Sequence, residues 1–270
     1  LKRLTLFAKG NVDVHDSLHS CRIAGTIAWN GVNEALRHEH PGWSVRLRHE
    51  TWTRSDAVLS SQGVVPEELA GRDLMLGAYP LASQFSRAVF ESAADAVVLS
   101  LQPDIMSTLV RHRRDGFSFY PSDMALWNPQ DRRWLASEFE TLEELSVAAS
   151  MKNFSTIIAA IRAHRDVPIL IYNLSAITPG EMLHCYQGLE GTLSSRIKEF
   201  NVGLIRLSEE TGISIVDVDS LVARNGGEAL KLDTTHLTPL GYQIVAKEVI
   251  RVLDDLGCFL TEDCQPLLRT

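Results

Sequence analysis

Leu232-Asp233-Thr234-Thr235-His236-Leu237-Thr238-Pro239-Leu240-Gly241-Tyr242 is the stretch on which the reading of this chain turns. A carboxylate and an imidazole stand three residues apart, just before a helix start in which Thr238 is a good N-cap and Pro239 suits the first helical position. At that spacing the Asp233 side chain can fold back onto one ring nitrogen of His236 and leave the other as an acceptor. A weak hydroxyl nucleophile needs such a base with its orienting group. Downstream, Leu240, Ile244, Val245, Val249, Val252, Leu253 and Leu256 recur at helical spacing, and Gly257 stands where a left-handed residue ends a helix. The pattern predicts a helix whose apolar stripe packs on a sheet.

Outward from that helix, short β-rich apolar runs alternate with longer helix-like stretches. Strands are predicted at residues 4–8, 44–48, 96–101, 168–172 and 213–218, and helices at 17–37, 81–91, 142–164 and 193–210. Such alternation builds βαβ units and a mostly parallel sheet covered on both faces. Two stretches, 55–80 and 107–141, break the alternation; the second carries Phe117, Phe119, Tyr120, Trp127 and Trp134. Both follow the carboxyl ends of strands, where open α/β sheets bind ligands. They read either as a lid or substrate wall, or as excursions packing a small core of their own or an oligomer contact.

The 270 residues, 45% hydrophobic and 22% charged, suit one globular domain spanning 1–270. A formal net charge of -8 argues against nucleic acid or an anionic membrane surface as partner. Arg111, Arg113 and Arg114 form a short basic cluster that reads as a solvated face. Cys21, Cys185, Cys258 and Cys264 lack C-x-x-C spacing, so reduced thiols in a cytoplasm are expected, with a Cys258–Cys264 pairing left open. The opening Leu1-Lys2-Arg3-Leu4 lacks a long apolar signal core, and no run of eighteen apolar residues occurs, so a soluble protein with no membrane span is expected.

The 232–242 stretch resembles the final block of the SGNH (GDSL-type) hydrolase superfamily, an Asp-x-x-His followed by a Leu-Thr/Ser-x-x-Gly-Tyr helix start. The resemblance implies a three-layer α/β/α sandwich with five parallel strands in flavodoxin-like order, and a Ser-His-Asp triad at the carboxyl ends of the strands. The family's first block, Gly-Asp-Ser-Leu, has its counterpart in His15-Asp16-Ser17-Leu18, which makes Ser17 the nucleophile if strand one continues through Val12 and Val14. The block can also be set at Gly10-Asn11-Val12; a valine then stands at the nucleophile position and Ser17 is a helix cap. The third block, Gly-x-Asn, corresponds to Ser100-Leu101-Gln102, so Gln102 is the oxyanion donor one methylene further out, or else a polar cap on a buried strand. The second block's glycine is missing after residues 44–48, and Gly77 is a remote substitute.

His38, His40, His49, His112 and His164 read as solvent-exposed, while His15 and His19, flanking Ser17, suggest either substrate contact or, together with Asp13 and Asp16, a weak metal site lacking a recognisable third ligand. Neither Gly-x-Gly-x-x-Gly nor a P-loop occurs, and Asn225-Gly226-Gly227 reads as a turn. The resemblance requires no metal and no organic cofactor. It implies an esterase in which Ser17 attacks an acyl ester of a small molecule or conjugate, His236 moves the proton, Asp233 orients the ring and Gln102 holds the oxyanion. Acyl transfer to an alcohol or amine, and a non-catalytic binding role, are the alternatives.

Overall fold

A computed structural model describes residues 1–260. The chain runs β1 (Lys2–Lys9), α1 (Val12–Leu18), a hairpin of β2 (Cys21–Ile23) and β3 (Thr26–Trp29), α2 (Val32–Glu39), β4 (Trp43–Glu50) and β5 (Ala96–Ser100). A small antiparallel trio, β6 (Val110–His112), β7 (Ser118–Phe119) and β8 (Phe139–Thr141), precedes β9 (Ile169–Tyr172) and β10 (Ser214–Val216). The main sheet has five parallel strands in the order β10-β9-β5-β1-β4. All five predicted strands are therefore found, in flavodoxin-like order. Central β5 is buried along its whole length, as expected of a parallel strand covered on both faces.

Each sheet face carries its own core. On one side Leu6, Ala8 and Val98 pack against Val245, Val249 and Leu253 of the helix Pro239–Asp255 and against Val32 and Leu36 of α2. On the other, Phe7, Val97 and Ile171 meet Phe154 and Ile158 of the helix Val147–His164 and Phe200 and Leu204 of the helix Leu193–Thr211. These helices start where side-chain caps stand: Thr238 accepts from the Gly241 N–H, Ser146 from Ala149 and Thr192 from Ser195.

The predicted helix 17–37 is instead α1, a hairpin and α2. Ala24 and Gly25 both take positive φ (48° and 82°), as a two-residue hairpin turn demands. Gly31 (φ 78°) lies so close to the chain that an added Cβ would stand 2.1 Å from the His19 carbonyl oxygen. The predicted helix 81–91 is two single turns, Leu81–Gln84 and Ala88–Glu91, because Phe85 packs into a third core while Val89 and Phe90 pack under the sheet.

That third core joins the two excursions. Leu69, Leu76 and Phe85 pack with Val110, Phe119, Trp127, Leu135 and Phe139. Gln84 fastens them: its amide donates to the Tyr79 carbonyl at 2.7 Å and the Tyr120 carbonyl at 3.2 Å, and its oxygen accepts from the Tyr120 N–H at 2.7 Å. Of the two readings of the excursions, packing a core of their own is the one observed. The arginine cluster is a solvated face, with Arg111 paired to Glu140 and Arg114 to Glu68 and Asp115. Cys264, and with it the Cys258–Cys264 pairing, lies outside the described residues. Among the described residues no helix is long and apolar enough to cross a membrane.

Candidate active site

At the carboxyl end of β1 the chain turns at Gly10 and Asn11 and enters α1 at Val12. The turn is tight: a Cβ on Gly10 would stand 2.5 Å from Val14 Cγ2. Strand one does not continue through Val12 and Val14. Ser17 is consequently a residue of α1, fully buried, with its hydroxyl turned onto the helix backbone and donating to the Asp13 carbonyl at 2.7 Å. Its oxygen also lies 3.1 Å from the Tyr172 hydroxyl, and its carbonyl accepts from the Trp29 indole N–H at 2.9 Å. A nucleophile must face its substrate, so the assignment of Ser17 is corrected: it is a packed core hydroxyl. Val12, the third residue past the strand, is the first residue of α1.

Asp233 and His236 do come together. A short bridge between Lys231 and Leu237, with the Leu232 N–H donating to the His236 carbonyl at 2.9 Å, closes the loop that carries them. His236 Nδ1 lies 2.7 Å from Asp233 Oδ2, and Asp233 Oδ1 accepts from the backbone N–H groups of Thr235 and His236, each at 2.8 Å. Partial burial opposes ionisation of Asp233, but these N–H groups and the imidazole outweigh it and hold the carboxyl well below the usual carboxylate range. A carboxylate at Nδ1 assigns the ring proton there and leaves Nε2 as acceptor. The imidazole is about half exposed, at 48%.

Gln102 opens the short helix after β5, where its backbone N–H donates to Ser100 Oγ at 3.1 Å. Its buried Oε1 has no partner among the described residues. Gln102 lines a small cavity of about 20 Å³ together with Asp13, Lys231, Thr234 and Thr235. Asp13, partly buried, accepts from Ser100 Oγ at 2.5 Å and from the Asn11 N–H at 3.1 Å, and desolvation pushes its carboxyl above the ordinary value. Asp104 accepts from Ser55 N–H, Ser55 Oγ and Ser150 Oγ at 2.7, 2.5 and 2.6 Å; burial outweighs these bonds and raises it to about 6.

The remaining histidines divide differently from expectation. His49 is largely buried and donates from Nε2 to the Gly10 carbonyl at 3.0 Å; burial and the neighbouring His15 lower it to about 4, so it is neutral. His112 is buried, stacked on Phe117 and held by Asp115. His15 stacks on His19 with ring centroids 5.0 Å apart and binds Asp16 through Nδ1 at 2.7 Å. Among the described residues no group of three or more His, Cys, Asp or Glu side chains could hold a metal ion. Gly77 (φ 55°) belongs to the first excursion, where a Cβ would stand 2.3 Å from Asp123 Oδ2. Sequence reasoning placed Asp13 in a weak metal site and missed it as a lining group of the cavity beside Gln102. It also missed Lys231, which no local pattern distinguishes.

No protein-family model and no curated protein matches the sequence. Solved structures do match in shape. LAE5, an alpha/beta hydrolase enzyme from the metagenome of Lake Arreo in Spain, is 13% identical, with a TM-score of 0.52 over 96% of this chain and 97% of its own. A protein from Slackia heliotrinireducens named for the SGNH hydrolases is 12% identical, with a TM-score of 0.50 over 93% of this chain and 100% of its own. Axe2, an acetylxylan esterase from Geobacillus stearothermophilus, is 10% identical, with a TM-score of 0.52 over 92% and 93% of the two chains. At these identities the likeness is one of fold, and the fold is that of the SGNH hydrolases.

Proposed function

We propose that this chain hydrolyses an acyl ester of a small molecule or conjugate, with His236 as general base acting directly on water. The observation that carries this reading is the 2.7 Å contact between His236 Nδ1 and Asp233 Oδ2, with Asp233 itself fixed by two backbone N–H groups. That geometry presents Nε2 as a half-exposed acceptor at the strand ends. Water oxygen attacks the acyl carbon as its proton passes to Nε2, and the carbonyl oxygen becomes an oxyanion. The Gln102 amide, which makes no hydrogen bond to the described residues, supplies a donor for it. Collapse of the intermediate expels the alkoxide, which takes the proton back from His236, giving acid and alcohol.

The names of two structural neighbours, an alpha/beta hydrolase and an acetylxylan esterase, support a search that begins with acetyl esters. Purified protein is assayed on p-nitrophenyl acetate and acetylated sugars. His236→Ala should lower kcat by roughly 10²–10⁴-fold. Equal rates in the variant and the wild type sink the reading. Val12 at the start of α1, the nucleophile position if the first block is set at Gly10-Asn11-Val12, supports a second reading, a binding protein on a hydrolase fold, which gains if no ester is turned over while an ester still binds.

A further inference from the structure

Lys231 is an ammonium buried without a carboxylate in contact. It is 5% exposed and donates to the Thr234 carbonyl at 2.6 Å and the Ser175 carbonyl at 3.1 Å. Thr234 lies between Asp233 and His236, and Ser175 follows β9, so one cation ties the loop of the base to the sheet. Asp219 from the helix Val218–Asn225 and Asp233 from the loop are the charges that raise its proton affinity, and Asp13 from α1 faces the shared cavity. An ammonium has three donors, of which two are used here. Lys231 and Gln102, whose Oε1 is unpartnered among the described residues, line the same cavity of about 20 Å³, which is room for one water.

We propose that Lys231 is the positioning residue of the site: it holds the Asp233–His236 loop against the end of β9 and, through one water in the cavity, holds the Gln102 amide. The proposal rests on the reading of His236 as base. Release of Thr234 swings the Asp233 carboxylate away from Nδ1, and loss of the water frees the Gln102 side chain. Burial lowers the amine to about 8, so the ammonium is present at neutral pH and is lost above it.

Lys231→Met keeps the length of the side chain and removes its donors. Amide hydrogen exchange at Thr235 and His236 should quicken about tenfold in the variant while amides of the helix Pro239–Asp255 keep their rates. Ester hydrolysis should lose about tenfold or more in kcat with KM little changed. The wild-type rate should decline above about pH 8, and the variant should lack that alkaline limb. Unchanged exchange at Thr235 and His236, or an alkaline limb that persists in the variant, overturns the proposal. If the helix amides quicken too, wild-type protein decides: from pH 7 to 9, after correction for hydroxide catalysis, protection must fall at Thr235 and His236 more than in the helix, and an equal fall overturns it. A crystal structure should show one water on Lys231 Nζ and Gln102 Oε1, and an empty cavity removes the Gln102 half. Wild type inactive on every ester sinks the reading of His236 as base, whereas the exchange comparison still decides Lys231.

Discussion

Ser17 sits inside α1, sealed from solvent, and its hydroxyl is spent on its own helix. A serine inside a helix satisfies its hydroxyl on the carbonyl four residues back, and here that bond to Asp13 leaves the oxygen free to meet the Tyr172 hydroxyl. Ser17→Ala should therefore leave any ester hydrolysis unchanged and cost about 1–3 kcal/mol in urea denaturation, because the buried Tyr172 hydroxyl loses its partner. A fluorophosphonate should leave Ser17 unlabelled by mass spectrometry; a labelled Ser17 would restore it as nucleophile. Asp233→Asn should lower the hydrolysis rate because an amide can hold the ring in the wrong tautomer, with steady-state kinetics as the check.

At the scale of elements, the β1–α1 junction depends on a close approach. Gly10 admits no Cβ because Val14, one turn into α1, fills that space, with Ser100 Cβ 3.1 Å away on the other side. Gly10→Ala should destabilise by about 1–3 kcal/mol through overpacking, and Val14→Ala in the same chain should recover part of the loss. Strictly additive losses in a double-mutant cycle of denaturation midpoints would show that the contact is not the cause. The predicted helix is broken further on, where Ala24 and Gly25 turn a hairpin at positive φ and Gly31 at positive φ precedes the fresh start of α2.

Over the whole molecule, Asp104 links parts that are distant in sequence: the helix after β5, Ser55 at the head of the first excursion, and Ser150 on the helix Val147–His164. Its folded value of about 6 lies above the ~3.9 of an unfolded aspartate, so the folded state binds the proton more tightly. Asp104 thus supports folding fully below about pH 4, and that support, ~3 kcal/mol, is lost as the pH rises through about 6. Asp104→Asn removes this dependence. The stability of the variant relative to the wild type should rise by that order between pH 4 and 6.5, measured by urea denaturation; a flat difference would contradict the raised value.

The five parallel strands, the capped helix Pro239–Asp255 and the Asp233–His236 pair were all legible in the residue order, since each rests on apolar periodicity, a cap or a spacing of three within one segment. The place of Ser17 was not legible. Its partners Trp29 and Tyr172 are 12 and 155 residues away, and only the turn at Gly10 shows that the helix begins before it. The union of the two excursions in one core likewise depends on contacts such as Leu76 and Phe85 with Val110 and Phe139, which no local pattern encodes. The sequence by itself determined the layers, the strand set and the Asp233–His236 pair. Tertiary structure alone decided which groups are sealed from solvent and which line the cavity beside Gln102, because burial and partner choice are properties of chain segments brought together from far apart.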